Sequence, residues 1–262
     1  MPNRNSGDSP THAAVILVAG IGERLRPLTE DRPKALMDLG GETILGRALR
    51  QLYAAGVRDF VLATGYREEA IRAAWGELAP GLASARITYC PNPDFRTTQN
   101  SVSLYLCERA LEGKSFFKLD GDVVFQPEVL ARLQATLEDT ECDLAVACDS
   151  RRALDEEAMK VQSQLGRIHR FGKRLPLSEA GGETLGIELV SASACQRLFE
   201  TIGRAVRAGH LDRYYEHAYS ELCEDPQFDC RAVEVGDLPW SEVDTLADLE
   251  QARSVVRPGG SA

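Results

Sequence analysis

Short apolar runs at residues 13–18, 60–64, 87–90, 116–119 and 144–148 alternate with segments of helical period at 44–55, 68–78, 101–111 and 128–137. No other pattern in the chain restricts its fold as strongly. Strands joined through helices read as βαβ units, so the first 150 residues predict a mostly parallel sheet with helices on both faces. Ligands of such sheets sit beyond the carboxyl ends of the strands.

The pattern changes after residue 150. Strand candidates at 159–162 and 167–171 precede a turn-rich "KRLPLSEAGGE", after which a further strand is expected at 185–190, together an antiparallel elaboration. Helices over 192–208 and 213–223, a strand over 228–235 and a helix over 245–255 complete the reading. A length of 262 residues fits one large domain or two small ones, and the chain shows no repeat and no low-complexity linker. A single domain over 12–256 is expected, with disordered tails at 1–11 and 257–262.

Forty acidic against thirty basic residues give a net charge of −10, which disfavours broad attraction to nucleic acid or anionic lipid. Any anion must then be held by a local basic site. The first twelve residues are polar and no stretch approaches the roughly 20 apolar residues of a membrane span, so a cytoplasmic protein without nucleic-acid or membrane partners is expected. Seven cysteines, an odd number without a C-x-x-C pair, read as free buried thiols. The four histidines have no metal spacing and receive no role.

Directly after the first apolar run comes "VAGIGERLRPLTEDRPKA", residues 18–35. A P-loop would need Gly-Lys-Ser/Thr after the second glycine, and a dinucleotide fingerprint would need a third glycine where Leu25 stands, so neither fits. What remains is Gly20 and Gly22, whose backbone N–H groups can turn onto a phosphate, with Arg24 and Lys34 adding positive charge. Such a loop suits a polyphosphate.

The run A-G-x-G-x-R-L-x-P-L-T-x-x-x-P-K, residues 19–34, resembles the signature of nucleotidyltransferases of the sugar-1-phosphate type. Later segments, among them "NPDFRTTQNSVSLYL" (92–106), "LDGDVVF" (119–125), "EEAMKV" (156–161), "GETLGIELVS" (182–191), "YYEHAYSEL" (214–222) and "PWSEVDTLADLEQA" (239–252), resemble the phosphocholine cytidylyltransferase-like branch. That branch also touches aminoethylphosphonate and inositol-phosphate cytidylyltransferases. The resemblance spans residues 13–255 and implies an α/β, single-domain, Rossmann-like nucleotidyltransferase fold of the GT-A type, with a mixed, mostly parallel sheet and a small antiparallel elaboration. It further implies that Val18, Ala19, Gly20 and Gly22 wrap the nucleoside triphosphate, with Arg24 on the β- and γ-phosphates and Lys34 near the α-phosphate.

Asp120 and Asp122 close an apolar strand, and their i, i+2 spacing can turn both carboxylates to one side. Asp-Gly-Asp is also good turn chemistry. The resemblance assigns Asp122, Glu242 and Asp244 to Mg²⁺, which favours one or two carboxylates completed by phosphate oxygens and water. For Asp244 the alternative is an N-cap, since Asp or Thr before an apolar-periodic segment is how a helix begins. "TTQNSVSL" allows capping by Thr98 or Ser101, while the resemblance implies that Gln99, Asn100 and Ser103 meet the base or ribose.

On the acceptor side the resemblance places Lys173 at the phosphate and gives Glu183 an acceptor contact. Lys160 lies on an expected strand and either faces the same cleft or is solvated. Tyr215 falls at core spacing, leaving Tyr214, Glu216 and Trp240 free to face a ligand. Aromatic faces suit a quaternary ammonium and carboxylates a primary one. The expected activity is a CTP-dependent cytidylyltransferase acting on a small phosphorylated alcohol or phosphonate, such as phosphocholine, phosphoethanolamine or 2-aminoethylphosphonate. A sugar- or inositol-1-phosphate nucleotidyltransferase and a non-catalytic nucleotide sensor of the same fold are the alternatives. The oligomeric state stays open, a homodimer among the options.

Overall fold

A computed structural model describes residues 12–78, 81–82 and 84–256; the two expected tails lie outside the described residues. Strand β1 (Ala13–Val18) sits between β2 (Asp59–Thr64) and β4 (Phe116–Asp120), with β3 (Arg86–Pro91) beyond β2, and all of these pairings are parallel. The side-chain period of two then splits β1 between two cores. Ala14, Ile16 and Val18 pack with α1 (Ile44–Ala54), α2 (Glu68–Leu78) and α5 (Glu128–Thr140). Ala13 and Val15 pack on the other face with α3 (Asn100–Tyr105), α4 (Glu108–Leu111), α6 (Ala192–Arg207) and α7 (Glu216–Cys223). Thr43 fixes the start of α1, its hydroxyl accepting the Gly46 N–H.

The nine-stranded sheet runs β3-β2-β1-β4-β9-β6-β10-β8-β7, with β6 at Leu144–Asp149, β7 at Lys160–Gln164, β8 at Arg167–Phe171, β9 at Gly182–Val190 and β10 at Cys230–Glu234. Strand β9 is antiparallel and changes partner along its length. Its end pairs with β4 (Leu119 opposite Ile187) and its start with β7 (Lys160 opposite Glu183), while β6 follows its other side. At the handover stands Gly186, with φ +71°, where an added Cβ would lie 2.3 Å from Asp120 Oδ2. Only glycine combines that backbone with that approach. The parting of β4 from β7 opens a cleft at the carboxyl ends of β1 and β4.

A second sheet pairs β5 (Val123–Val124) with β11 (Ser241–Glu242), and the last helix, α8 (Leu246–Val256), packs Leu249, Ala252 and Val255 beneath it against Leu25, Met37 and Val124. Two helices differ from the sequence expectation. The helix expected over 101–111 divides into α3 and α4, because Cys107 N–H reaches back only to Leu104 O, tightening the turn around a fully buried side chain. Helix α7 starts at Glu216 rather than 213, since Asn100 Oδ1 accepts the Tyr215 N–H and Ser101 Oγ donates to Arg213 O, tying that stretch to α3 outside the helix. Among the described residues no helix is long and apolar enough to cross a membrane, and the seven cysteines are free, five of them buried.

Candidate active site

The loop after β1 turns at Gly22, with φ +69°, where an added Cβ would lie 3.0 Å from Lys34 Cβ and 3.3 Å from Thr29 Cγ2. Thr29 Oγ1 donates to Gly22 O at 2.9 Å and closes the loop on itself. One turn of 3₁₀ helix over Glu23–Leu25 presents Arg24, and another over Lys34–Leu36 presents Lys34. Both cations reach toward the metal-binding candidates. Lys34 Nζ donates to Asp122 Oδ2 at 2.6 Å and to Asp244 Oδ1 at 2.8 Å, and Arg24 donates to Asp244 Oδ2 at 2.5 Å. Burial pulls the Lys34 ammonium down, but Asp122 and Asp244 outweigh it and hold it above its usual range. Burial pushes the Asp244 carboxyl up, and Lys34 and Arg24 more than reverse that.

Asp122, Glu242 and Asp244 bring carboxylate oxygens within 4.8 Å of one another. Glu242 is open to solvent through the cleft, yet the protein around it and the adjacent Asp122 and Asp244 push its carboxyl up to about 8. Asp122 Oδ1 is buried with no hydrogen-bond partner. An all-oxygen cluster with one orphaned buried oxygen, whose mutual repulsion a cation would relieve, fits a hard divalent ion. Asp244 is not the cap of α8. That position belongs to Thr245, whose Oγ1 accepts the Asp248 N–H while Asp248 Oδ2 accepts the Thr245 N–H, a reciprocal capping box.

The cleft holds 580 Å³, within the span of small-ligand sites. Val18, Ala19, Gly20, Gly22, Arg24 and Lys34 line the half expected to take the nucleotide, with Gln99, Asn100 and Ser103 also on the lining. Asn100 and Ser103 are already engaged, with Tyr215 N–H and Asn92 Nδ2, whereas no partner holds the Gln99 side chain among the described residues. Lys173, Glu183, Tyr214, Glu216 and Trp240 line the half expected to take the acceptor. Lys160 is a correction: its ammonium is buried and donates to Lys173 O at 2.8 Å, so it fixes the backbone carrying Lys173 and does not reach the cleft.

The floor holds residues that sequence reasoning did not single out. Lys118, fully buried on β4, places Nζ 3.1 Å from both Asp120 Oδ1 and Glu188 Oε2, and 3.5 Å from the Tyr215 ring centroid. Tyr215, in the core as expected, donates to Asp120 Oδ2 at 2.9 Å. Burial pushes Glu188 up to about 7 and Glu216 up to about 8, with Lys118 opposing both. Glu183 rises to about 7, chiefly through burial. A charged residue inside each apolar strand, in "FFKLD" and "GIELV", was the available signal, because such residues are buried only when paired. Arg152, in the loop after β6, carried no such signal.

A glycine-turned loop with two cations faces three clustered carboxylates at the carboxyl ends of a parallel sheet, an arrangement suited to a polyphosphate and a hard cation. The chain belongs to the MobA-like NTP transferase domain family, whose sequence profile matches residues 14–221. It is 32% identical over 248 residues to the CMP-5'-(3-aminopropyl)phosphonate synthase of Streptomyces rubellomurinus, covering 91% of this chain and 38% of that protein. It is 30% identical to the bifunctional IPC transferase and DIPP synthase of Rubrobacter xylanophilus, covering 98% of this chain and 54% of that one. The chain thus spans about half or less of the length of these relatives. The inositol-1-phosphate CTP transferase of T. maritima superposes with a TM-score of 0.77 at 22% identity, covering 97% of this chain and 99% of that one, and so shares the fold.

Proposed function

We propose that the protein transfers CMP from CTP to a small phosphorylated or phosphonylated alcohol or amine that carries an ammonium group. The supporting observation is the charge of the cleft: nine carboxyl groups line it against the four cations Arg24, Lys34, Arg152 and Lys173, and six carboxylates still remain when Glu183, Glu216 and Glu242, pushed up to about 7 or 8, hold their protons. Two anionic substrates would meet strong repulsion there unless cations arrive with them. A divalent ion answers for part of that excess, and an ammonium on the acceptor answers for more. The relative whose name specifies an aminopropylphosphonate product supports the same class.

In the proposed reaction an oxygen of the acceptor phosphate or phosphonate attacks the α-phosphorus of CTP, the bond to the β-phosphate oxygen breaks, and pyrophosphate leaves. The second ionisation of a phosphate lies near about 6, so at neutral pH the attacking oxygen is already an anion and needs no protein base. Gly20 and Gly22 offer backbone N–H groups to the triphosphate, Arg24 meets its outer phosphates, and Lys34 neutralises charge near the α-phosphate. Asp122, Glu242 and Asp244 would hold Mg²⁺, which supplies charge neutralisation on the phosphate oxygens. Tyr214 would receive the ammonium end by its aromatic face, with Glu216 beside it as a carboxyl pushed up to about 8 that the ammonium would help to ionise.

Pyrophosphate release over four nucleoside triphosphates and the acceptors phosphocholine, phosphoethanolamine, 2-aminoethylphosphonate, inositol 1-phosphate and glucose 1-phosphate tests the proposal. CTP with an ammonium-bearing acceptor is expected to give the highest kcat/KM. Inositol 1-phosphate or glucose 1-phosphate ranking first would overturn the cationic acceptor, and a preference for UTP would overturn cytidylyl transfer.

A further inference from the structure

Three of the four cations in the cleft are held by carboxylates of the protein: Lys34 by Asp122 and Asp244, Arg24 by Asp244, and Lys173 by Glu157 at 3.2 Å. Arg152 is held more loosely. It makes a long ion pair with Glu183, Nε to Oε1 3.9 Å, and among the described residues nothing accepts a hydrogen bond from its guanidinium. Its position is nevertheless well fixed. Asp149, at the end of β6, is buried, and its Oδ1 accepts the backbone N–H groups of Arg151 and Arg152 at 2.8 and 3.1 Å. Through Oδ2 the same carboxylate accepts the Trp240 indole N–H at 2.8 Å. The Arg152 guanidinium then lies 4.6 Å from the Trp240 ring centroid.

One buried carboxylate therefore sets both the platform and the backbone of the arginine resting on it. Stacking on an aromatic face restrains a guanidinium while leaving its N–H edges free, and that edge matches two oxygens of a tetrahedral anion. The platform residue lies two positions before Glu242 of the carboxylate cluster, and Arg152 lies on the chain segment that enters the acceptor half.

Resting on the reading of the cleft as a nucleotidyl-transfer site, we infer that Arg152 is a specificity-determining residue that grips the phosphate or phosphonate head of the acceptor through its guanidinium edge, with Trp240 and Asp149 as its support. Lys173 then adds charge to that head without being its principal ligand.

The test uses Arg152→Ala and Arg152→Lys in the full chain. Arg152→Ala should raise KM for the acceptor at least tenfold and leave KM for CTP within about twofold, since the lost contacts are charge-assisted and bidentate. Arg152→Lys keeps the charge and loses the fork, so it should recover only part of the loss. Calorimetric binding of 2-aminoethylphosphonate and of phosphocholine supplies a readout independent of turnover, and Arg152→Ala should weaken the tighter of the two by the same factor. A wild-type protein that binds these anions through Arg152 but transfers no nucleotide would refute the proposed activity and keep this assignment. An unchanged acceptor KM and unchanged binding in Arg152→Ala, or a rise in KM for CTP alone, would overturn the assignment and leave cytidylyl transfer standing.

Discussion

Replacing Lys118 by methionine should cost stability in a pH-dependent way. The ammonium is fully buried and lies 3.1 Å from both Asp120 and Glu188, with Glu216 also feeling its charge. Removing one partner from a buried ion pair costs about 3–5 kcal/mol when the remaining charge stays ionised. Here the carboxyls can take up protons instead. With Lys118 present, burial already pushes Glu188 up to about 7 and Glu216 up to about 8, and Lys118 is the main influence pulling them down. Without it they rise further, so the folded state binds more protons than the unfolded chain from about pH 4.5 upward. Stability therefore falls as pH rises, and it falls more steeply in the variant. At pH 8 the loss should approach about 3–5 kcal/mol, or roughly 6–15 °C in Tm for a domain of this size. At pH 5.5, where the carboxyls are protonated in the folded protein, about 1 kcal/mol for the lost contacts should remain. Urea unfolding of wild type and Lys118→Met at both pH values measures this, and adding Glu188→Gln to the variant should restore most of the pH 8 loss. An equal loss at both pH values would show that lost packing, not uncompensated charge, is what Lys118 prevents.

The other expectations concern the cleft and the glycine at the β9 handover. Asp122→Asn and Asp244→Asn should each remove most metal-dependent pyrophosphate release with a Tm close to wild type, because the cap of α8 is Thr245 and stays intact; full activity in either would refute the metal assignment. Chelation by EDTA should abolish turnover, and added Mg²⁺ should restore it. Lys34→Ala should lower kcat more than it raises KM for CTP, and Arg24→Ala should raise KM as well; unchanged steady-state kinetics in both would remove their roles. Gly186→Ala should destabilise the fold by roughly 1–3 kcal/mol through its positive φ and its collision with Asp120, a loss that thermal unfolding would detect.

The alternation of apolar runs and helical segments was legible because sheet burial demands it, and strands β1, β6 and β8 fall within a residue of their expected spans. Two-residue strands such as β5 and β11 are too short to show alternation, and β9 starts at Gly182 rather than 185 because its first residues are polar and face the cleft. The donor half was legible from local spacing, since Gly22, Arg24 and Lys34 share one loop. Lys160 misled because a lysine on a strand looks the same in sequence whether its ammonium meets a ligand or backbone carbonyls. Arg152 owes its place to Asp149 and Trp240, 91 residues apart, a relation that no local pattern carries.

Strand β9 is shared by both halves of the cleft, pairing with β4 at one end and β7 at the other. Because a strand is stiff along its axis, the donor loop and the acceptor hairpin keep a fixed spacing without a hinge between them. The hairpin of β7 and β8 otherwise meets the sheet at its rim, where β8 joins β10 through a single register pair. Sequence changes in that hairpin can therefore remodel which acceptor is taken while the phosphate loop keeps its place, much as a fixed jaw accepts different inserts. Under the proposed function, acceptor range would then be the property of this architecture most open to divergence, and the phosphate loop the part held most firmly by its construction.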